Sequence, residues 1–194
     1  MILEAFVLSI IIGFIRKGKL QGLSNIPIKR WFLFILPFIL SALVVAGGQI
    51  GDPESRLVYI RMANVLQYIL LLAAIIVNIH IKEMWLVGIG TFFNALVVAV
   101  NGGMMPVSIT ALKLAGMDYL LKPGEFDWGI RHAIMTASTK LSFLGDIIPR
   151  PGIGKVMPEV ASIGDLLLAV GVFLLIQRYM CRSAQPAKET EAVE

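Results

Sequence analysis

Charge is what this sequence lacks most. Only 15% of its 194 residues are Asp, Glu, Lys or Arg, against about 25% in a soluble domain. By that norm roughly 20 charged side chains are missing. Hydrophobic residues make up 57% and the mean hydropathy is +0.82. These values argue against a water-soluble surface, and against a disordered chain, which needs low hydrophobicity and high net charge. Cysteine is nearly absent: Cys181 stands alone, which excludes a disulfide scaffold. No His-Glu-x-x-His, Cys-x-x-Cys, Gly-x-Ser-x-Gly or Gly-x-Gly-x-x-Gly pattern occurs, so no zinc, redox, hydrolase or dinucleotide motif is present. The two histidines, His80 and His132, are too few and too far apart to suggest bis-His haem ligation. No basic and aromatic platform points to nucleic acid. No metal site is expected, and the sequence names no cofactor.

What is there is apolar sequence in five runs, at 1–15, 31–49, 59–79, 85–100 and 161–176. A membrane crossing needs roughly 17–25 residues, so the first, fourth and fifth are slightly short. The first run is not read as a cleavable signal peptide, because Glu4 precedes its apolar part, no basic residue precedes it, and no small-residue cleavage site follows. Its positive charge follows instead, at Arg16, Lys17, Lys19, Lys29 and Arg30. The positive-inside rule then places the 16–30 loop in the cytoplasm and the N-terminus outside. Alternation puts the 101–160 segment outside and the polar tail, 183–194, inside. Arg178 and Arg182 before the tail agree with that orientation, as do Trp31, Trp85 and Tyr179 at the inner-interface ends. The lone Cys181 falls at that inner face.

The 101–160 insert is unusual, with basic and acidic residues scattered among apolar ones. Its pattern predicts a turn at Asn101-Gly102-Gly103 and a short helix over 107–115 opened by Pro106 and ended by Gly116. It also predicts a second helix over 128–144, with Asp127 and Gly145 as caps. Arg131, His132 and Lys140 make that second helix costly in lipid. It is therefore expected to lie in the outer interface or to re-enter the bundle, a sixth crossing being the alternative.

Polar residues recur at helical spacing inside the runs. Asn64, Gln67 and Asn78 fall within about 60° of one another on one helix face, and Thr91, Asn94 and Asn101 within about 80° on the next. Such stripes face protein or water rather than lipid; they build either a polar pocket or simple interhelical hydrogen bonds. On a 128–144 helix, Thr136 and Thr139 would sit close to His132, with Asp146 on the same face if the helix continued. Asp165 lies one turn into the last run. The candidate outer-face pocket is thus Asn101, His132, Thr136, Thr139, Asp146 and Asp165; the plainer alternative is that the two aspartates cap helices or pair with Arg131, Lys140 or Arg150. Arg150 and Lys155 in the Pro/Gly loop are candidates to grip an anionic headgroup. That loop is no P-loop, since Pro149 and Val156 occupy the required glycine and Ser/Thr positions. Gly164 and Gly171, one heptad apart, predict close helix packing.

The strings Asn94-Ala95-Leu96-Val97-Val98, Asn101-Gly102-Gly103-Met104-Met105-Pro106-Val107, Leu144-Gly145-Asp146-Ile147-Ile148-Pro149 and Ser162-Ile163-Gly164-Asp165 resemble a family of small polytopic bacterial membrane proteins catalogued as a domain of unknown function. The resemblance covers roughly residues 60–180. It implies a bacterial inner-membrane location and brings no assigned activity.

Together these readings predict an all-α membrane bundle with five crossings and one or two interfacial or re-entrant helices, forming one domain over 1–182. Its expected role is to bind or pass a small solute, ion or lipid headgroup at an outer-facing pocket. The alternatives are an accessory subunit of a larger membrane complex and a lipid-modifying enzyme with His132 as acid or base. The expected partners are the lipid bilayer, other membrane subunits or a second copy of the chain, and no nucleic acid.

Overall fold

The computed structural model describes residues 1–47, 52–121, 131–152 and 158–182. Among them are six α-helices and four three-residue strands: α1 (Ile2–Ile15), α2 (Phe32–Gly47), α3 (Pro53–Val77), α4 (Met84–Val100), β1 (Met105–Val107), α5 (Ile109–Leu114), β2 (His132–Ile134), β3 (Ile148–Arg150), β4 (Glu159–Ala161) and α6 (Ile163–Arg182).

Local chemistry sets the helix starts. Asp52 caps α3 by accepting from the Ser55 N–H at 2.9 Å, and Pro53 takes the first turn, where its missing N–H costs nothing. Ser162 and Asp165 form a reciprocal capping box on α6. The Asp165 N–H donates to Ser162 Oγ at 2.9 Å, and the Ser162 N–H donates to Asp165 Oδ2 at 3.0 Å.

The helices pack in the order α2–α3–α4–α6–α1. Glycines bring α4 and α6 together: a Cβ at Gly90 would lie 2.5 Å from the Gly164 carbonyl oxygen, and one at Gly171 would lie 2.7 Å from Val87 Cγ2. The α6 glycines therefore do permit the close packing their heptad spacing predicts. The bundle has two distinct ends. At one, Lys19 N–H reaches the Met180 carbonyl at 3.0 Å, Arg16 donates to Gln177 at 2.9 Å, Lys29 pairs with Asn78, and Arg178 with Glu83 at 3.0 Å. The basic 16–30 segment, the α3–α4 turn and the end of α6 thus share that end. The described parts of the 101–161 segment cap the other, where the Met1 amino group meets Glu159 at 2.5 Å and Asn64 donates to the Gly103 carbonyl at 2.9 Å.

Burial runs opposite to that of a soluble bundle. Large apolar side chains face outward along α1, α2 and α3, with Ile15 75% and Ile76 67% exposed, while Ser9, Ser41, Asn64, Asn78, Thr91, Asn94 and Gln177 are buried. Two helices, Ser55–Val77 and Ile163–Cys181, are long and apolar enough to cross a membrane, which suggests membrane association. The apolar stretches Ile2–Ile15, Phe32–Val44 and Met84–Val100 are shorter than that length, so helix length alone does not yield five crossings. The last helix reaches beyond the expected 161–176, because Arg178 interrupts the apolar pattern without ending the helix.

The cap departs most from expectation. Instead of an all-α insert it holds two two-stranded sheets, β1 parallel to β2 and β3 antiparallel to β4. Pro106 lies in β1 rather than opening a helix, and the short helix starts later, with Ser108 as its cap. Gly116, at φ +78°, follows it in the left-handed conformation expected of a helix-ending glycine. The expected 128–144 helix is absent from its described part, 131–144. There the backbone pairs with β1 instead: the Met105 N–H donates to the Arg131 carbonyl at 2.7 Å and the Met135 N–H to the Val107 carbonyl at 2.9 Å. The Thr136 N–H is taken by Thr139 Oγ1 at 2.9 Å, a local turn that competes with helix. Leu141, at φ 50°, breaks any continuation. Lys155 and the 183–194 tail lie outside the described residues, as do the expected helix start and its Asp127 cap.

Candidate functional site

Under the cap lies a polar-walled cavity of about 190 Å³, lined by Asn64, Gln67, Tyr68, Asn94, Val98, Met105, Arg131, His132, Asp146 and Asp165. The bundle supplies the wall. Asn64, Gln67 and Tyr68 come from α3, Asn94 and Val98 from α4, and Asp165 from the first turn of α6. The cap supplies the roof, and its strand register sets which side chains meet there. His132 pairs with Met105 in the β1–β2 ladder, and Asp146 bridges to Val107 on the other side of β1. The Asp146 N–H donates to the Pro106 carbonyl at 2.9 Å, and its own carbonyl accepts from Ser108 at 3.0 Å. This places His132 Nε2 3.6 Å from Asp146 Oδ2.

Asp146 is 4% exposed. Burial pushes its carboxyl up from the ordinary value of 3.8 to about 8, and the charges of Asp165 and Glu159 push in the same direction. Around neutral pH the group is mostly a neutral acid, able to donate as well as accept a hydrogen bond.

Asp165 is held differently. Its Oδ1 accepts from Asn94 Nδ2 at 2.9 Å, while Asn94 Oδ1 accepts from Ser162 Oγ at 2.9 Å. The capping box and this bridge fix the carboxylate at the α4–α6 contact. Arg131 is anchored on a different pair of helices, donating to Gln67 on α3 at 2.9 Å and to Ser41 on α2.

Of the residues expected from sequence, His132, Asp146 and Asp165 converge, together with Asn64, Gln67 and Asn94 from the polar stripes. The others sit elsewhere. Asn101 ties down the cap: its Nδ2 donates to the Val97 and Lys140 carbonyls at 2.8 Å, and its Oδ1 accepts from the Lys140 N–H at 3.0 Å. Thr136 and Thr139 spend their hydroxyls on the turn between them, outside the cavity. Asn78 lies at the basic end, clasping the Lys29 backbone at 2.7 and 2.9 Å. Arg150 pairs with Glu159 at 2.6 Å and with Glu4. It sits at the rim of a second, mostly apolar cavity of about 700 Å³ between α1 and α6.

Arg131 and Tyr68 are cavity residues that sequence reasoning did not select. In the sequence Arg131 counts as a charge that makes the second helix costly in lipid and as a partner for carboxylates, and an arginine beside His132 is the available signal. Tyr68 is adjacent to Gln67, off the polar stripe. No group of three metal-binding side chains occurs among the described residues.

A family model described as "Family of unknown function (DUF5317)" matches residues 25–177. The chain belongs to this family. All of the cavity-lining residues fall within the matched span. The chain is similar to an uncharacterized protein of Thermotoga maritima, 27% identical over 190 residues that cover 97% of each. The bacterial relative and the apolar helices agree with a bacterial membrane protein. No solved structure matches the chain.

Proposed function

We propose that this chain is a five-pass membrane protein that binds a small polar solute in the cavity beneath its outward-facing cap. The observation that carries the reading is the concentration of Arg131, His132, Asp146 and Asp165 around one cavity in a bundle whose exterior is apolar. Ionisable groups at such a depth are expensive unless partnered or solvated, and they mark functional sites by default. The crossing pattern is supported by the clustering of the basic 16–30 segment, the α3–α4 turn and the end of α6 at one end, and of the cap at the other. Helices α1, α2 and α4 span about 21, 24 and 26 Å at 1.5 Å per residue. A locally thinned bilayer accommodates such lengths at modest cost.

Two measurements test this. In a Cys181→Ser background, a membrane-impermeant maleimide should label Thr136→Cys in intact cells and His80→Cys only after permeabilisation; the reverse pattern overturns the orientation. Purified protein should show solute-dependent thermal stabilisation that His132→Ala abolishes. Solute-independent melting, with stable co-purification of another membrane protein, would favour the accessory-subunit role instead.

A further inference from the structure

The cavity's charges are sorted by side, which narrows what it can hold. Arg131 is fixed at the α2–α3 side by Ser41 and Gln67, both neutral acceptors. Asp165 is fixed at the α4–α6 side by Asn94 and the Ser162 N–H, both neutral donors. Neither forms an ion pair with an opposite charge among the described residues. The guanidinium thus lines the cavity from helices α2 and α3 and the carboxylate from helices α4 and α6, with no ion pair between them. Asn64, Gln67, Asn94 and the His132–Asp146 pair lie around them.

We propose that the occupant is a small zwitterion, of the chemical class of a short α-amino acid, with its carboxylate toward Arg131 and its ammonium toward Asp165. This rests on the reading of the cavity as a solute site. A lone anion would meet Asp165 without compensation, and a lone cation would meet Arg131 likewise. A neutral solute would leave two half-buried protein charges without an opposite charge, and unpaired charge away from bulk water is costly. Only a molecule carrying both signs answers both walls, and the mismatch with the others supplies specificity. Size agrees. A volume of about 190 Å³ lies below the roughly 300–1,000 Å³ of pockets for drug-sized ligands. That space suits a molecule of the size of glycine, alanine or serine better than a large side chain.

The test is equilibrium binding to the purified full chain in mild detergent. The probes are radiolabelled L-alanine, propionate, which lacks the ammonium, ethylamine, which lacks the carboxylate, and acetamide, which is uncharged. Alanine is expected to bind at least tenfold tighter than each of the others. Arg131→Gln should weaken alanine at least tenfold and strengthen ethylamine, which no longer meets an uncompensated guanidinium. Asp165→Asn, which keeps a side chain able to cap α6, should weaken alanine and strengthen propionate, which no longer meets an uncompensated carboxylate. Melting temperature and gel-filtration profile report whether each variant is folded; if one is not, the other variant and the wild-type ranking decide. Acetamide, propionate or ethylamine binding as tightly as alanine overturns the zwitterion while leaving the solute site standing. Alanine binding that neither folded variant weakens also overturns it. If none of the four binds the wild type, both readings fall.

Discussion

Replacing Asp146 by Asn should abolish a pH dependence of stability that this one carboxyl creates. In the folded chain its pKa is raised to about 8, and unfolding returns it to 3.8. Between those values the folded state holds a proton that the unfolded state releases, so stability must fall as pH rises. The contribution is fully present below about pH 4 and is lost as the pH passes through 8. Each pH unit inside the window is worth about 1.4 kcal/mol, so wild type should lose about 3 kcal/mol between pH 5 and pH 7. For a chain of this length, 1 kcal/mol moves Tm by roughly 2–4 °C, giving a fall of about 6–12 °C over that interval. Asn keeps the shape and hydrogen-bonding capacity of the neutral acid but cannot ionise, so Asp146→Asn should remove most of the slope.

The groups facing Asp146 must be controlled. His132 lies 3.6 Å away, and the Asp165 and Glu159 charges contribute to the shift. His132→Gln measured alone and together with Asp146→Asn separates the imidazole's titration from that of the carboxyl. Asp165→Asn should lower the upper end of the pH window by removing one of the causes of the shift, leaving the slope below it unchanged. The assay is thermal denaturation in detergent from pH 4.5 to 8.5, read by tryptophan fluorescence. A flat wild-type profile, or an unchanged slope in Asp146→Asn, would refute the assignment of a buried neutral acid.

Three other substitutions probe the frame around the site. Gly164→Ala would drive a methyl into the Asn94 carboxamide and the Gly90 carbonyl; overpacking of this kind costs about 1–3 kcal/mol, measurable as a drop in Tm together with weaker solute binding. Asn101→Ala removes three hydrogen bonds to Val97 and Lys140, at about 1 kcal/mol each, and should expose the 136–141 turn to limited proteolysis before the helices melt. Asn78→Ala frees the Lys29 backbone from the end of α3; it should lower Tm by several degrees while leaving solute binding unchanged, because Asn78 lies at the end away from the cavity.

The helices were legible because long apolar runs leave the backbone little alternative in a nonpolar setting. The five runs at 1–15, 31–49, 59–79, 85–100 and 161–176 each correspond to a helix. The buried stripe residues Asn64 and Asn94 also followed from helical periodicity, which converts sequence spacing into angle. That arithmetic fails where the backbone is not helical. Thr136 and Thr139 were grouped with His132 on a helix face, and in the structure they close a turn beside it. Asp146 met His132 for another reason: both flank β1, a relation between strands separated in sequence that no local period encodes. Arg131 is similar, since its partners Ser41 and Gln67 lie on helices far away in the chain.

The sequence by itself therefore determined the helical bundle, the basic character of one end, and the segment between 101 and 161 as the place where polar chemistry collects. Only the tertiary structure decided which side chains face one another there. Strand pairing is non-local, and it sets His132 against Asp146. The capping box and the Asn94 bridge hold Asp165 at the α4–α6 contact, while Arg131 is held by α2 and α3. Four of the chain's few ionisable side chains, Arg131, His132, Asp146 and Asp165, thus meet around this single cavity.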